Sequence, residues 1–262
     1  MRVREIARLS SQKLKGNHTA AASYTFMMLL CYTGILIAGQ VATIFEDTLF
    51  RRESTAVIGP ASLLGTMVTI LLTVCFFLPL QLGGKIWYLS LNGEFRPMRL
   101  IFFGFSSWGK FCKTIGFTLV RYSAVFLCYL VPLIPAVMVA AGLRLAGRTW
   151  EASGGLLMLL LGMLAVLGLA LGIYLGMGCF YADYLFAFGV EQNPFRAIRR
   201  SWRLASGTRL RLFRLLLLML PYALTCLLIA PIPLSYPRIQ CALAVYAGDT
   251  IEQAGGLGER NT

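Results

Sequence analysis

The sequence predicts an all-α membrane protein, a bundle of helices that crosses the bilayer several times. Of its 262 residues, 58% are hydrophobic and only 13% are charged, whereas a water-soluble domain usually carries about 25% charged residues. The charges are also clustered, so that long stretches contain none. Each stretch exceeds the roughly 20 residues with which a helix crosses about 30 Å of hydrocarbon. These stretches are residues 19–45, 54–84, 122–143, 152–182 and 215–237.

Five long spans and a short sixth helix follow from this pattern. The fifth span begins near Leu212 and is broken by Pro221, because an internal proline removes a helical hydrogen bond. Beyond Pro237, only residues 239–248 lack charge, so the sixth helix is expected to be short, tilted or only partly inserted. The first four spans are expected near residues 19–44, 60–91, 114–141 and 154–186.

Three regions are expected along the chain, with a single transmembrane bundle over residues 19–254 as the largest. In residues 1–18, Val3, Ile6 and Leu14 stand between basic residues, as they do in an amphipathic helix at a membrane surface. This segment is therefore predicted to be cytoplasmic and interfacial. The last residues, 255–262, are expected to form a flexible tail.

The fourth predicted span carries a row of glycines at every fourth position. Small residues in such a row let another membrane helix approach closely. The neighbouring helix belongs either to the same bundle or to a second copy of the chain, so a homo-oligomer or another protein partner is left open. The row consists of Gly168, Gly172 and Gly176.

The basic residues predict the orientation of the chain in the membrane. Cytoplasmic loops carry an excess of lysine and arginine, and sixteen basic residues fall in three alternate segments while the two intervening segments hold two each. The N-terminus and both long basic loops are thus expected in the cytoplasm. This pattern accounts for the net charge of +13 without a nucleic-acid partner. The minority segments hold Arg51 with Arg52, and Arg144 with Arg148.

The second basic loop contains a predicted amphipathic helix, residues 194–206. Asn193 is a good N-cap, Pro194 a good first helical residue, and Gly207 a suitable end. Apolar residues recur at helical spacing, and arginines occupy most of the other face. Such a helix lies on the inner membrane surface and binds membrane lipids, preferably anionic ones. The predicted surface residues are Arg196, Arg199, Arg200, Trp202 and Arg203.

Ionisable residues inside predicted spans are the candidates for a ligand site, because such residues are costly in hydrocarbon. Lys85, Arg121 and Asp183 all lie about 9–12 Å inside the cytoplasmic boundary at ~1.5 Å per residue. Three interpretations stay open: the two cations extend to the headgroups, Arg121 pairs with Asp183, or the three bind an anionic ligand. Tyr122 and Tyr184 would then supply hydroxyl donors.

No pattern of catalytic or metal-binding residues accompanies this cluster. The seven cysteines form no CxxC pair, and His18 is the only histidine, which excludes a multi-histidine metal site. The sequence contains neither a glycine-rich phosphate loop nor an HExxH helix. We therefore predict a non-enzymatic protein that needs no metal and no cofactor.

Several motifs occur together in a characteristic order. They are residues 13–17, 84–89, 93–94, 103–105 and 134–135, followed by the long stretch 193–213. In these motifs the chain resembles a bacterial integral-membrane family, domain of unknown function 975. It departs from the family at Ala136, where a glycine is usual, and in its short C-terminal segment. The resemblance implies six helices, both termini in the cytoplasm, and the bacterial cytoplasmic membrane; it implies no reaction.

Two classes of function remain for such a chain. One is an accessory or scaffold protein of the bacterial envelope. The other is a carrier or binder of an anionic lipid or small amphiphile, held in a basic pocket near the cytoplasmic leaflet. A wide polar cavity at the depth of Lys85 would favour the carrier, and a closed, glycine-packed bundle would favour the scaffold.

Overall fold

The computed structural model describes residues 3–50, 60–91, 97–145, 154–226 and 231–254, and these ranges contain helices and short turns but no strand. The predicted all-α class is confirmed. A π-helical segment, Thr73–Phe77, joins two of the helices, and 3-10 segments span Met98–Phe105 and Met177–Cys179. The α-helices are α1 (Val3–Leu14), α2 (His18–Phe50), α3 (Pro60–Leu72), α4 (Leu78–Ser90), α5 (Trp108–Leu145), α6 (Gly154–Gly176), α7 (Ala182–Ala187), α8 (Pro194–Ser206), α9 (Arg209–Thr225) and α10 (Ile232–Gln253).

Four helical stretches in the described residues are long and apolar enough to span a membrane. Their apolar side chains mostly face outward: in the most apolar part of α5, only 6% of the residues are buried within the protein. Water-exposed apolar patches of this extent are rare in soluble proteins, whereas in hydrocarbon they carry no penalty. The four stretches are His18–Phe45, Leu64–Ser90, Trp108–Gly142 and Leu159–Ala187.

The C-terminal helices α9 and α10 are not among these four. Helix α9 has 17 residues and continues through Pro221 to Thr225, so the predicted break at Pro221 is wrong. Its length of about 25 Å falls short of the hydrocarbon core. Helix α10 is longer but carries Arg238, Asp249 and Glu252. The predicted fifth span and partly inserted sixth helix therefore remain predictions.

The contacts of the chain divide it into two compact units. The first contains Met1–Thr118 together with Phe213–Thr262, and the second contains Leu119–Leu212. The single bundle over 19–254 stays a prediction. The predicted tail 255–262 and the loop arginines Arg51, Arg52, Arg96 and Arg148 lie outside the described residues.

In the first unit, α2 and α3 approach each other through two glycines. A Cβ atom added at Gly39 would collide with Thr69 Oγ1, and one added at Gly65 would collide with Thr43 Oγ1. Each threonine hydroxyl donates a hydrogen bond to the carbonyl oxygen of the glycine four residues earlier in its own helix, at 3.0 Å for Thr43 and 2.8 Å for Thr69. The contact is reciprocal, and it requires a missing side chain on both helices.

The N-terminal helix α1 packs on α10 in the same unit. Ile6, Ser10 and Leu14 are buried on one side of α1, while Arg8 and Gln12 are exposed on the other. The thiol of Cys241 in α10 donates to the carbonyl oxygen of Ser10 at 3.4 Å. The apolar face predicted from the sequence thus packs against another helix of the protein.

In the second unit, the glycine row of α6 packs against α5. A Cβ atom at Gly168 would lie 2.7 Å from the carbonyl oxygen of Pro132, and one at Gly172 would lie 2.8 Å from the ring of Tyr129. Both distances are too short for a real side chain, so glycine is required at these crossings. The row is used for packing within the chain.

Candidate functional site

A buried ion pair lies where α5 approaches α7. Arg121 Nε is 2.8 Å from Asp183 Oδ1, and the exposed fractions of the two side chains are 17% and 3%. Asp183 is in the first turn of α7, where the helix dipole also favours a negative charge. Either charge alone would be expensive in so buried a position. The structure therefore brings together two of the three predicted site residues and pairs their opposite charges.

The surroundings of the pair are aromatic. The guanidinium carbon of Arg121 lies 5.0 Å from the centre of the Tyr122 ring, a distance typical of cation–π contacts. The Nε–H of Arg121 itself makes no hydrogen bond. Tyr184 is buried, with its ring centre 5.3 Å from that of Phe180.

Lys85, the third predicted residue, belongs to α4 in the first unit. Its side chain is half-buried, one helical turn before the buried Tyr88. Its convergence with Arg121 and Asp183, and a ligand held by the three, stay predictions.

Helix α8 begins and ends where its sequence predicts. Asn193 Oδ1 accepts a hydrogen bond from the backbone N–H of Phe195 at 3.1 Å, Pro194 is the first helical residue, and Gly207 is the C-cap. The cap satisfies a backbone donor that the helix itself leaves unpaired.

A stripe of small residues attaches α8 to the segment before α7. Ala197, Ser201 and Ala205 are buried at every fourth position. Ser201 Oγ donates a 2.6 Å hydrogen bond to the carbonyl oxygen of Gly178. Because a Cβ atom at Gly178 would lie 2.9 Å from the Trp202 ring, glycine lets the indole pack closely. Helix α8 is thus fixed to the second unit along this side.

The opposite side of α8 presents arginines. Arg196, Arg199 and Arg203 are exposed, and none has a carboxylate within 4.0 Å in the described part of the chain. Arg200 is half-buried and lies 3.8 Å from Glu191, a distance typical of a weak pair. Three cations therefore project from a helix whose orientation is set by its other face.

The first residue of α9, Arg209, adds a further cation. The guanidinium carbon of Arg209 lies 4.2 Å from the ring centre of Tyr174 and 5.5 Å from that of Trp202. Next to it, the hydroxyls of Tyr181 and Thr208 are hydrogen-bonded at 2.8 Å. Aromatic rings and an arginine so arranged are typical of the headgroup level of a membrane.

An apolar cavity of about 380 Å³ lies between α5 and α8 in the second unit. Its walls carry one hydroxyl, that of Ser123, and are otherwise hydrocarbon. It is lined by Leu119, Val120, Ser123, Ala124, Leu127, Phe195 and Ile198.

A family model described as "Protein of unknown function (DUF975)" matches residues 1–249. The chain belongs to this family. The match confirms the resemblance based on the motifs, and it brings no reaction with it. No curated protein and no solved structure matches the chain.

For this DUF975 member, the sequence interpretation of α8 included Ala205 in the apolar face but missed Ala197 and Ser201, which also hold the helix in place. The apolar residues Phe195, Ile198 and Trp202 are the obvious ones in the sequence, yet the face buried against the protein is the small one. The signal was present as alanine, serine and alanine at positions 197, 201 and 205. The clustering of Arg209 with the rings of Tyr174 and Trp202 had no comparable signal, since it depends on the tertiary fold.

Metal ligands are not clustered in the part of the chain that the structure describes. No group of three or more histidine, cysteine, aspartate or glutamate side chains there is placed to hold a metal ion. The arrangement offers arginines at a surface, a paired charge inside and an apolar cavity. These features suit the binding of an amphiphile with an anionic head.

Proposed function

We propose that this chain is a non-enzymatic accessory or scaffold protein of the bacterial cytoplasmic membrane, attached to anionic phospholipid of the inner leaflet through α8. The observation that carries the proposal is the exposed face of Arg196, Arg199 and Arg203, which has no carboxylate partner in the described residues. A helix held rigidly on one side with unpaired arginines on the other is suited to phosphate groups.

The proposed orientation places the N-terminus and both basic loops in the cytoplasm. It is supported by the excess of basic residues in alternate segments. In this arrangement α9, which contains Pro221, leaves the cytoplasmic surface as a fifth span. The contact between Cys241 and Ser10 favours a position of α10 beside the interfacial α1, at the cytoplasmic end of the bundle.

The close helix contacts support a scaffold more than a carrier with a basic pocket. Gly39, Gly65 and Gly168 all face a neighbouring helix at distances that admit no side chain. Within the predicted basic cluster, Asp183 already neutralises Arg121. A lipid-binding role is favoured instead at the apolar cavity beside α8.

The proposal is tested by the lipid preference of the purified protein. Wild type and the triple variant Arg196→Gln, Arg199→Gln, Arg203→Gln are reconstituted with equal phosphatidylglycerol and phosphatidylcholine, and the lipids retained after mild detergent are counted by native mass spectrometry. Each arginine near an anionic surface contributes about 1 kcal/mol at low ionic strength, so the variant should lose the preference for phosphatidylglycerol.

The matched control keeps the three positive charges in α8, through Arg196→Lys, Arg199→Lys and Arg203→Lys. This variant should retain the wild-type preference. Equal retention of the two lipids by the wild-type protein, or an unchanged preference in the α8 variant, would refute the attachment.

A further inference from the structure

We propose that the cavity between α5 and α8 holds an acyl chain of the anionic phospholipid whose phosphate binds the arginines of α8. The inference rests on the proposed function. It adds that the acyl chain of the lipid, and not only its phosphate, has a defined binding position. The cavity, about 380 Å³, falls within the range of small-molecule sites.

The chemistry of the walls selects a hydrocarbon occupant. Ser123 supplies the only hydroxyl side chain among the lining residues. Water enters a cavity when two to four polar partners are available, and this cavity lacks them. An apolar chain loses nothing there and gains van der Waals contacts with the walls.

The position of the cavity identifies the lipid as the source of that chain. Its α5 residues lie inside the candidate span Trp108–Gly142. Leu119, Leu127 and Phe195 at its edge are 46%, 53% and 70% exposed, so the cavity opens to the surroundings of the helix. For a membrane-spanning helix those surroundings are lipid chains.

The charge next to the cavity selects the headgroup. Arg199 follows Phe195 by four residues and so lies on the same side of α8. It is exposed and has no carboxylate within 4.0 Å among the described residues. An arginine can hold a phosphate with two parallel hydrogen bonds. A phospholipid without a cationic headgroup therefore fits both the apolar cavity and the charge at its edge.

The experiment uses phosphatidylglycerol with a photoactivatable diazirine in its acyl chain, incorporated into nanodiscs with the full-length protein. After illumination, cross-linked peptides are mapped by mass spectrometry. Wild type should be labelled on the wall peptides, residues 119–127 and 195–198. Ala124→Phe fills the cavity and should abolish this labelling, whereas Ala141→Phe, on an exposed position of the same helix, should leave it intact.

The outcomes separate this inference from the proposed function. Labelling of the walls that persists in Ala124→Phe, or that a phosphatidylcholine probe gives equally, overturns the inference. If the protein retains phosphatidylglycerol but the acyl chain labels residues outside the cavity walls, the inference is also wrong. In that case the attachment of the protein to anionic lipid through α8 is still supported. Ser123→Leu fills the same space more gently, and it replaces Ala124→Phe if that variant does not fold.

Discussion

Arg121 Nε and Asp183 Oδ1 meet at 2.8 Å between α5 and α7, with only 3% of the aspartate side chain exposed. Buried pairs of this kind respond asymmetrically to mutation. Removing one partner leaves an uncompensated buried charge, whereas replacing both by apolar residues leaves no buried charge at all.

The first prediction follows from that asymmetry. Asp183→Asn should lower the free energy of unfolding by about 3–5 kcal/mol, because Arg121 then stays charged without its partner. The double variant Arg121→Met, Asp183→Leu should be much closer to wild type. Denaturant unfolding in detergent measures both differences.

Glu191→Gln is the matched control, since Glu191 and Arg200 form the more distant pair at 3.8 Å. Its loss should change the free energy of unfolding by about 0–1 kcal/mol. Equal effects of Asp183→Asn and Glu191→Gln would contradict a stabilising role for the buried pair.

The second prediction concerns the crossing of α2 and α3. Gly39→Ala places a Cβ against Thr69 Oγ1, and overpacking of this kind costs about 1–3 kcal/mol. Gly34→Ala in the same helix meets nothing within 4 Å and should leave stability unchanged or slightly raised. The melting temperatures of the two variants are compared in the same detergent. Similar melting temperatures would contradict the prediction, because they would show that a Cβ at Gly39 does not destabilise the contact between α2 and α3.

The glycines illustrate what the sequence could and could not predict. Gly168, Gly172 and Gly176 stand in a regular row, and a row predicts a helix crossing whatever the partner is. Gly39 and Gly65 do not belong to such a row, and each is followed by a threonine after four residues. Their meeting depends on the register of α2 against α3, which local pattern does not determine.

The predicted site shows the same division. The Asn193 cap, Pro194 and Gly207 act within one helix, and local chemistry was enough to predict them. Counting residues along each predicted span gave Arg121 and Asp183 similar distances from the cytoplasmic boundary. The sequence therefore predicted that the two side chains could meet. Which face each side chain takes, and hence the fixing of α8 through Ser201, required the packed structure.

The third prediction tests that attachment. Ser201→Leu removes the hydrogen bond to the Gly178 carbonyl and forces a larger side chain into a buried position. Helix α8 should loosen, and trypsin should cleave after its arginines faster than in wild type. Ser206→Leu is the control, because Ser206 is exposed and bonds only to its own helix at Arg203. Equal cleavage rates in the two variants would argue against a fixed α8.

The fourth prediction uses the thiols. Burial raises the pKa of the Cys241 thiol to about 12, partly offset by the nearby positive charge of Lys13. Because only the thiolate reacts, maleimide at neutral pH should modify the exposed Cys112 and spare Cys241 until the protein unfolds. Site-resolved mass spectrometry distinguishes the two residues, and rapid modification of folded Cys241 would contradict its packing against α1.

The same thiol predicts a pH dependence. A pKa raised in the folded state means that folding favours the protonated form. Its contribution to stability is complete below the ordinary thiol pKa of about 9 and is lost as pH rises towards about 12. Cys241→Ala should therefore reduce the steepness of alkaline destabilisation in this window, as measured by denaturant unfolding at successive pH values.

The last prediction concerns orientation. The excess of arginine and lysine in alternate segments predicts that α8 lies in the cytoplasm and that the loop around Arg148, which lies outside the described residues, lies on the other side. A cysteine introduced at Ser206 should react with a membrane-impermeant maleimide only after the cells are permeabilised, and one introduced at Thr149 should react in intact cells. The parent protein with its native cysteines supplies the background to subtract.

The same rule predicts the effect of added charge, because basic residues are held back on the cytoplasmic side during insertion. Adding four lysines around Thr149 should therefore reduce the labelling of this loop from outside. Reaction of both introduced cysteines from the same side would show that the chain does not cross the membrane between them an odd number of times, and α8 could then not face the inner leaflet while the loop faces out.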